Sequence, residues 1–327
     1  MSKKSTIKAL NLVYKSALKI PLNIEKGRFT VLSDQHLGDG KPGSDDFAVN
    51  RDIYLAVLNF YYENGFTIIE VGDIEELWEC DFEKVNSVYS EIYALEKKFF
   101  DTGRLYRIFG NHDIFWRNRQ FQRKFLPFYT IYEAIMLGDK IFITHGHQGE
   151  FVSDKFWKVS RWFVRNIWKN IQQLLHIPSN DIVQNYKIRD RKEQLFYNWA
   201  KCKKILTIFG HTHRAFFESL SKIDRLRQKL KDRTLSDNER KSIENRIKQS
   251  LRDNRKGQKE LPLEDTPLPC YFNTGCCCYK NGITTIEIET GMIRLVKWER
   301  GLNAQKTVKT VFEEAELLPL LKKISTI

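Results

Sequence analysis

The stretch Thr30-Val-Leu-Ser-Asp34-Gln-His36-Leu-Gly38 leads a short apolar strand directly into an aspartate and, two residues later, a histidine. An Asp-x-His pair is common by chance, but four further polar blocks follow it, each directly after a predicted strand. They are Gly72-Asp73 after 67–71, Gly110-Asn111-His112-Asp113 after 105–109, His145-Gly146-His147 after 140–144 and Gly210-His211-Thr212-His213 after 204–209. Six of the seven histidines lie in these five blocks, and the seventh is His176.

The residue types in these blocks are those that bind divalent metal ions. Carboxylate and amide oxygens together with neutral imidazoles suit Mn²⁺, Fe or Zn²⁺. A carboxylate that bridges two such ions holds them about 3.5–4 Å apart, a geometry used for phosphate-ester hydrolysis. Strand ends suit such a site, because the sheet fixes the backbone while the loop directs the side chain. The sequence therefore predicts a two-metal site at strand ends.

The five blocks, in this order, resemble those of the calcineurin-like metallophosphoesterase superfamily over about residues 28–147 and 203–298. The resemblance implies an α/β fold in which a two-sheet β-sandwich is flanked by helices and carries helical insertions. It also implies two divalent metal ions, with Mn²⁺ favoured and Fe or Zn²⁺ as alternatives. The implied activity is metal-dependent hydrolysis of phosphate esters or pyrophosphates, in which a metal-bound hydroxide attacks phosphorus.

The resemblance also assigns roles to individual residues. Two groups of ligands and one bridging carboxylate are implied, namely Asp34, His36 and His213; Asn111, His145 and His211; and the bridge Asp73. His112 would stand beyond the metals as a catalytic residue that stabilises charge or donates a proton. Asp113 would assist it by a hydrogen bond to its imidazole, with a simple loop cap as the alternative.

Several other polar residues near these blocks have competing interpretations. Arg117 and Arg214 are candidate substrate-binding residues, and a solvated surface position is the alternative for each. Glu75 and Glu76 are expected near the start of a helix that runs to about Phe100, where the helix dipole favours carboxylates. A metal-binding role for either glutamate is the minor alternative.

Composition limits the class of protein. With 327 residues and 42% hydrophobic residues, the chain can form one metallophosphoesterase domain over residues 1–327. It has no run of 18 apolar residues and no signal-peptide pattern at its N-terminus, so a cytoplasmic protein is expected. The six cysteines form no disulfide framework or CxxC pattern. The contiguous Cys276, Cys277 and Cys278 are expected to pack as small apolar residues, with a thiolate metal site as the alternative.

Periodicity predicts the remaining elements. A helix from Ile7 to Ile20, ended by Pro21, is expected either to pack on the domain edge or to contact a membrane or partner. The helix between the first two strands predicts a parallel strand pair with a right-handed crossover. The C-terminal tail is expected to end in a short helix.

Two segments extend the chain beyond the family core. Residues 148–202 predict a lid-like helical insertion, in which residues 155–175 alternate aromatic groups with lysines and arginines. Such a helix could make a peripheral membrane contact, wall a substrate pocket, or pack on its own domain or on a second copy in a homodimer. Residues 218–260 predict a charged helical hairpin with a capping box from Ser236 to Glu239. A solvated arm or dimer element is favoured there over nucleic-acid binding.

The substrate is less well defined than the reaction. A phosphorylated small molecule, a lipid-linked nucleotide and a phosphoprotein are all candidates. The Ser-Asp-x-His-Leu block and the Gly-Asp-x-x-x-x-Trp run also resemble UDP-2,3-diacylglucosamine pyrophosphatases, but those enzymes carry arginine at the position of His112. Histidine there is typical of phosphoprotein phosphatases and many phosphodiesterases. The net charge of +13 suggests a nuclease as a further alternative, and a metal-free scaffold is disfavoured because every expected ligand is present.

Overall fold

The computed structural model describes residues 3–41, 45–149, 186–232, 234–253, 266–280, 282–301 and 306–326. Its strands form two seven-stranded sheets, and the predicted two-sheet sandwich flanked by helices is confirmed. In spatial order, the first sheet contains β1 (Leu18–Ile20), β6 (Ala134–Leu137), β7 (Ile141–Thr144), β8 (Leu206–Phe209), β11 (Tyr271–Asn273), β9 (Phe216–Phe217) and β10 (Leu220–Ser221). The second contains β14 (Thr307–Glu316), β13 (Met292–Arg300), β12 (Ile283–Glu289), β2 (Arg28–Leu32), β3 (Thr67–Val71), β4 (Leu105–Ile108) and β5 (Ile131–Tyr132).

Helices accompany both sheets. They are α1 (Lys3–Ser16), α2 (Arg51–Glu63), α3 (Phe82–Val88), α4 (Ser90–Asp101), α5 (Arg119–Phe125), α6 (Tyr186–Lys203), α7 (Lys222–Leu230), α8 (Asp237–Asp253) and α9 (Leu317–Ser325). Short 3₁₀ helices span Ala48–Asn50 and Ile114–Arg117. In the described part of the chain, no helix is long and apolar enough to cross a membrane.

The hydrophobic core has two layers because the central strands of the second sheet, β2 and β3, are buried on both faces. Val31 and Ile69 face the first sheet, whereas their neighbours Leu32 and Ile68 face the layer of α2 and α4. This alternation follows from the two-residue period of a β-strand. Burial on both faces fits the mostly apolar residues of β2 and β3, in which Thr30 and Glu70 are buried polar exceptions.

Parallel pairing brings the polar blocks to one edge. The strands β2, β3 and β4 are mutually parallel neighbours, and so are β7, β8 and β11. Because parallel strands have their carboxyl ends at the same edge, the loops that follow them emerge together. The predicted parallel pair of the first strand-helix-strand unit is therefore confirmed.

Two predicted helix boundaries are wrong. The first helix ends at Ser16, and residues Leu18–Ile20 instead form β1, which pairs with β6 and so satisfies its backbone groups in a sheet. The helix expected from residue 74 begins only at Phe82, because the backbone of 74–76 is bonded to neighbouring loops. The Ile74 N–H donates to Asp113 at 2.9 Å, and the Glu76 N–H donates to the Leu37 carbonyl at 3.0 Å.

The N-terminal helix α1 packs on the first sheet, as the domain-edge interpretation predicts. The Tyr14 ring makes edge contacts with Phe142 and Trp199, with centroids 5.4 and 5.6 Å away. The C-terminal helix is confirmed as α9, while the long edge strand β14 before it was not predicted.

Only parts of the two predicted insertions are described. The amphipathic stretch 155–175 lies outside the described residues, whereas α6 covers the C-terminal part of the predicted helical insertion. In the second insertion α7 and α8 pack against each other. The predicted capping at Ser236 is present, since its N–H donates to Glu239 Oε2 at 2.9 Å.

Candidate metal centre

The site is built from backbone links between loops at the strand ends. The Asp34 N–H donates to the Gly72 carbonyl at 3.0 Å, and the His36 N–H donates to the Asp73 carbonyl at 2.9 Å. Across to the other sheet, the His211 N–H donates to both carboxylate oxygens of Asp34, at 3.1 and 3.0 Å. These links hold loops of both sheets in one fixed arrangement.

The first group of predicted ligands is assembled. His213 Nε2 lies 3.1 Å from Asp34 Oδ1 and 3.2 Å from His36 Nε2. All three side chains are at most 9% exposed. Two imidazole nitrogens and a carboxylate oxygen therefore converge on one buried point.

The second group lies beside the first and shares a carboxylate with it. His145 Nε2 lies 3.1 Å from Asp73 Oδ2 and 3.3 Å from Asn111 Oδ1. Ligand atoms of Asp73, His145 and His211 lie within 4.8 Å of one another. The same Asp73 Oδ2 is 3.9 Å from His36 Nε2 in the first group. Asp73 thus occupies the position between the two groups that a bridging ligand requires.

The imidazoles are oriented by partners on their other nitrogen. His145 Nδ1 lies 2.8 Å from the Val71 carbonyl, and His36 Nδ1 lies 3.0 Å from Glu76 Oε2. Both partners accept hydrogen bonds, so Nδ1 carries the proton and Nε2 turns a lone pair inward. His213 Nδ1 lies 3.6 Å from the Cys278 thiol. This orientation, with carboxylate and amide oxygens alongside, fits a pair of divalent cations.

Backbone strain is concentrated at the same residues. Five of the predicted ligands have a positive φ, a conformation that non-glycine residues rarely adopt: Asp34, His36, Asp73, His211 and His213, with φ between 53° and 69°. Strain of this kind is retained where the surrounding structure imposes it, commonly at functional sites. The backbone links between the loops impose it here.

Close packing explains two glycines in the motifs. A Cβ at Gly110 would lie 2.6 Å from the Asp73 backbone nitrogen and closer still to its carboxylate. A Cβ at Gly72 would lie 2.6 Å from the His145 ring. Glycine at these positions lets the loops from β3, β4 and β7 approach each other.

Glu76 contacts two histidines of the site, a position that the favoured sequence interpretation, a helix start, did not predict. It is 6% exposed and contacts His112 as well as His36, with Oε1 2.8 Å from His112 Nδ1. Its assignment to a helix N-terminus was wrong, because α3 starts six residues later and Glu76 lies in the loop beside the site. Its position three residues after Asp73 was the feature of the sequence that could have indicated that Glu76 lies at the site.

The expected hydrogen bond from Asp113 to the His112 imidazole was also wrong. The Asp113 carboxylate instead accepts backbone N–H groups of Ile74 and Gly110, at 2.9 and 2.5 Å. Burial, reinforced by the charges of Asp73 and Glu75, raises the pKa of Asp113 to about 8. Asp113 therefore holds two loops together, as its loop-cap alternative predicts, and Glu76 is the partner of His112.

The charges of the site favour ionised carboxylates. Burial would raise the pKa of Glu76, but the charges of His112 and His36 outweigh it and lower the pKa to about 2. Burial would lower the pKa of His112, whereas Glu76 and Asp73 raise it to about 10. Against its burial, Asp73 likewise has a pKa held well below the usual value by His145 and His112. The carboxylates are thus kept in the anionic form that binds cations.

The two predicted arginines lie in different environments. Arg117 is exposed at the end of its 3₁₀ helix. Arg214 is mostly buried and forms ion pairs with Glu193 and, at 2.9 Å, with Asp190, both on α6. Arg214 therefore attaches α6 to the loop that carries His211 and His213.

Two of the cysteines, Cys276 and Cys278, lie next to the first ligand group. None of the six, all of which the structure describes, forms a disulfide. Cys276 and Cys277 are buried, as expected for small apolar residues, and Cys278 Sγ lies 3.3 Å from Cys276 Sγ. Cys276, Cys278 and His213 form a further cluster with metal-binding atoms, as do His36, Glu76 and His112, so the thiolate alternative and the metal-binding alternative for Glu76 both keep a structural basis.

Among the comparisons with known proteins, the match to a family model agrees with this geometry. The family model for calcineurin-like phosphoesterases matches residues 27–215, more than half of the chain. No curated protein matches the chain. Vacuolar protein sorting 29 from Cryptosporidium parvum is 11% identical, with 89% of this chain and 98% of that chain covered and a TM-score of 0.34. A single mutant of Vps29 from Entamoeba histolytica is 12% identical, with 88% and 99% covered and a TM-score of 0.31.

At these TM-scores neither solved structure informs on the function of the chain. The family match covers the first four metal-ligand blocks and extends through His211 and His213. The same blocks converge in space on one centre whose donor set suits divalent cations. The chain belongs to the calcineurin-like phosphoesterase family.

Proposed function

We propose that the protein is a two-metal hydrolase of phosphate esters. The observation that carries this proposal is the position of Asp73, whose Oδ2 lies 3.1 Å from His145 Nε2 in one ligand group and 3.9 Å from His36 Nε2 in the other. A carboxylate shared in this way distinguishes a two-metal site from two separate sites that hold one metal each.

The residues proposed to hold the metals are those of the two groups. Asp34, His36 and His213 would hold one ion, Asn111, His145 and His211 the other, and Asp73 both. When bound, the ions would lower the pKa of a water and neutralise charge on the phosphate oxygens. Mn²⁺ is the proposed ion, because the set mixes hard oxygen ligands with imidazole, while Fe and Zn²⁺ are accepted by the same donors.

His112 is proposed to donate a proton to the leaving-group oxygen. Its Nδ1 is engaged by Glu76, which leaves Nε2 as the nitrogen that can reach substrate. Because its pKa is raised to about 10, the imidazole is protonated at neutral pH and can act as an acid. Glu76 fixes the orientation of the ring and is a positioning residue.

The proposal is tested by hydrolysis of p-nitrophenyl phosphate and bis-p-nitrophenyl phosphate with added Mn²⁺. Wild type is expected to release p-nitrophenol from at least one of them, and Asp73→Ala is expected to lose this activity. Asp52→Ala is a matched control, since that side chain is 82% exposed. The proposal fails if wild type binds no metal, or if Asp73→Ala retains full metal-dependent activity.

A further inference from the structure

Helix α6 brings a lysine to the metal centre. The Lys192 ammonium donates to His211 Nε2 at 2.7 Å. His211 belongs to the second ligand group, with Asp73 and His145. The lysine comes from a part of the chain outside the five motif blocks, so neither the motifs nor their spacing indicate it.

Two contacts fix the position of α6 and hence of this lysine. Phe196 stacks on Phe209 with ring centroids 4.5 Å apart and an angle of 7° between the rings, and Phe209 directly precedes the Gly210-His211 loop. Glu193, which is fully buried, forms an ion pair with Arg214 in the same loop. Lys192 lies one helical turn before Phe196 and next to Glu193, so both contacts direct it towards the site.

A second cation lies on the same side of the helix. Arg189 precedes Lys192 by three residues, is 8% exposed and acts electrostatically on the Tyr279 phenol. That phenol donates to the His213 carbonyl. Arg189 thus acts on a tyrosine that contacts the loop of the second histidine, whereas Lys192 contacts the first histidine directly.

The Lys192 ammonium would lose His211 as its hydrogen-bond acceptor when a metal ion binds, and would then need another acceptor. A neutral imidazole has a single nitrogen that can accept, so if His211 held a metal ion it could no longer accept a hydrogen bond from the Lys192 ammonium. A cation held beside such a site is favourable only if an anion is present to compensate it. The anion that enters a phosphoesterase site is the phosphoryl group of the substrate.

We propose that Lys192 binds a third anionic oxygen on the phosphorus under attack, and that the substrate is a dianionic phosphate monoester. This inference rests on the proposed function. Two of the non-esterified oxygens on phosphorus would face the two groups of metal ligands, and a diester has only two such oxygens. A monoester has a third non-esterified oxygen, which Lys192 would bind.

The test compares Lys192→Met with Lys192→Arg and with Lys203→Met, an exposed lysine at the end of the same helix. With Mn²⁺ bound, Lys192→Met is expected to lower kcat/KM for p-nitrophenyl phosphate by about tenfold to a hundredfold, the usual effect of losing one charged hydrogen bond. The value for bis-p-nitrophenyl phosphate is expected to change by less than about threefold. Lys192→Arg retains most of the monoester activity, and Lys203→Met all of it.

Binding provides a readout that does not depend on turnover. Inorganic phosphate is titrated calorimetrically into the Mn²⁺-loaded proteins, and Lys192→Met is expected to weaken its Kd by about tenfold or more. Metal content is measured on the same samples and is expected to be unchanged. If Lys192→Met binds one more metal than wild type, the lysine replaces an ion and the inference is overturned.

The remaining outcomes separate this inference from the function on which it rests. Wild-type hydrolysis of the diester alone, or equal losses on both esters in Lys192→Met, overturns the inference and leaves the phosphoesterase intact. If wild type hydrolyses neither ester with metals bound, the proposed function fails, and phosphate binding still decides the role of Lys192. A phosphoserine peptide compared with free phosphoserine then distinguishes a protein substrate from a small molecule.

Discussion

Glu76 Oε1 lies 2.8 Å from Nδ1 of His112, and the other oxygen of the same carboxylate lies 3.0 Å from Nδ1 of His36. One buried carboxylate therefore orients both the proposed proton donor and a proposed metal ligand. Its effects on acid catalysis and on metal binding are expected to be separable by experiment.

The first prediction concerns pH. Glu76 is the main charge that raises the pKa of His112 to about 10, so Glu76→Gln lowers that pKa. The imidazole is active when protonated, which holds below its pKa, and the alkaline limb of the kcat profile therefore moves to lower pH. Steady-state rates from pH 6 to 11 measure this, with the exposed Glu83→Gln as control. An unchanged alkaline limb would remove His112 from the role of acid.

A second prediction concerns metal content. Asp73→Ala removes a ligand from both groups, whereas His145→Ala removes one from the second group only. We expect His145→Ala to retain one tightly bound Mn²⁺ and Asp73→Ala to bind both ions weakly. Elemental analysis after gel filtration gives the ratio of metal to protein. Equal retention in the two variants would contradict the shared role of Asp73.

The third prediction concerns Gly110. The added methyl group of Gly110→Ala would collide with the backbone and carboxylate of Asp73, so metal binding is expected to be lost together with activity. Gly65→Ala is the control, because Gly65 has a positive φ but nothing within 4 Å of the added Cβ. It is expected to cost about 1–2 kcal/mol of stability, without changing metal content. Thermal melts and elemental analysis on both variants test this difference.

A fourth prediction concerns removal of the metals. Ions that bind only the folded chain stabilise it, by about 2.7 kcal/mol for one site at 100 times its Kd. Chelation is therefore expected to lower the Tm of wild type and to have little effect on Asp73→Ala. Differential scanning calorimetry with and without Mn²⁺ gives both values. A Tm of wild type that does not depend on Mn²⁺ would contradict metal binding by the folded state.

Much of the site was predictable because each strand and the ligand that follows it are specified by a few neighbouring residues. A short apolar strand followed directly by a ligand, as at Val31 and Asp34, specifies the strand, its end and the polar residue in a few positions. Parallel order then brings such ends together, and the groups around Asp73 follow from it.

The incorrect helix predictions arose where tertiary contacts override the local preference of the sequence for a helix. Glu76 lies in a loop because the backbone of residues 74–76 bonds to Leu37 and Asp113, which no helix propensity reveals. Residues Leu18–Ile20 continue a helical pattern and become a strand only because β6 is available. The contact of Lys192 with His211 depends on the packing of Phe196 on Phe209, a relationship between distant segments.

The contact between His36 and His213 has a consequence for folding. Their Nε2 atoms lie 3.2 Å apart although 177 positions separate them in the chain. Contacts at such separation form only after long loops have closed, which is slow compared with local structure. The centre can therefore assemble only after the two sheets, which arise largely from different parts of the chain, have docked. During refolding, the rate at which metal binding recovers would therefore report the docking of the two sheets, and not the formation of either sheet.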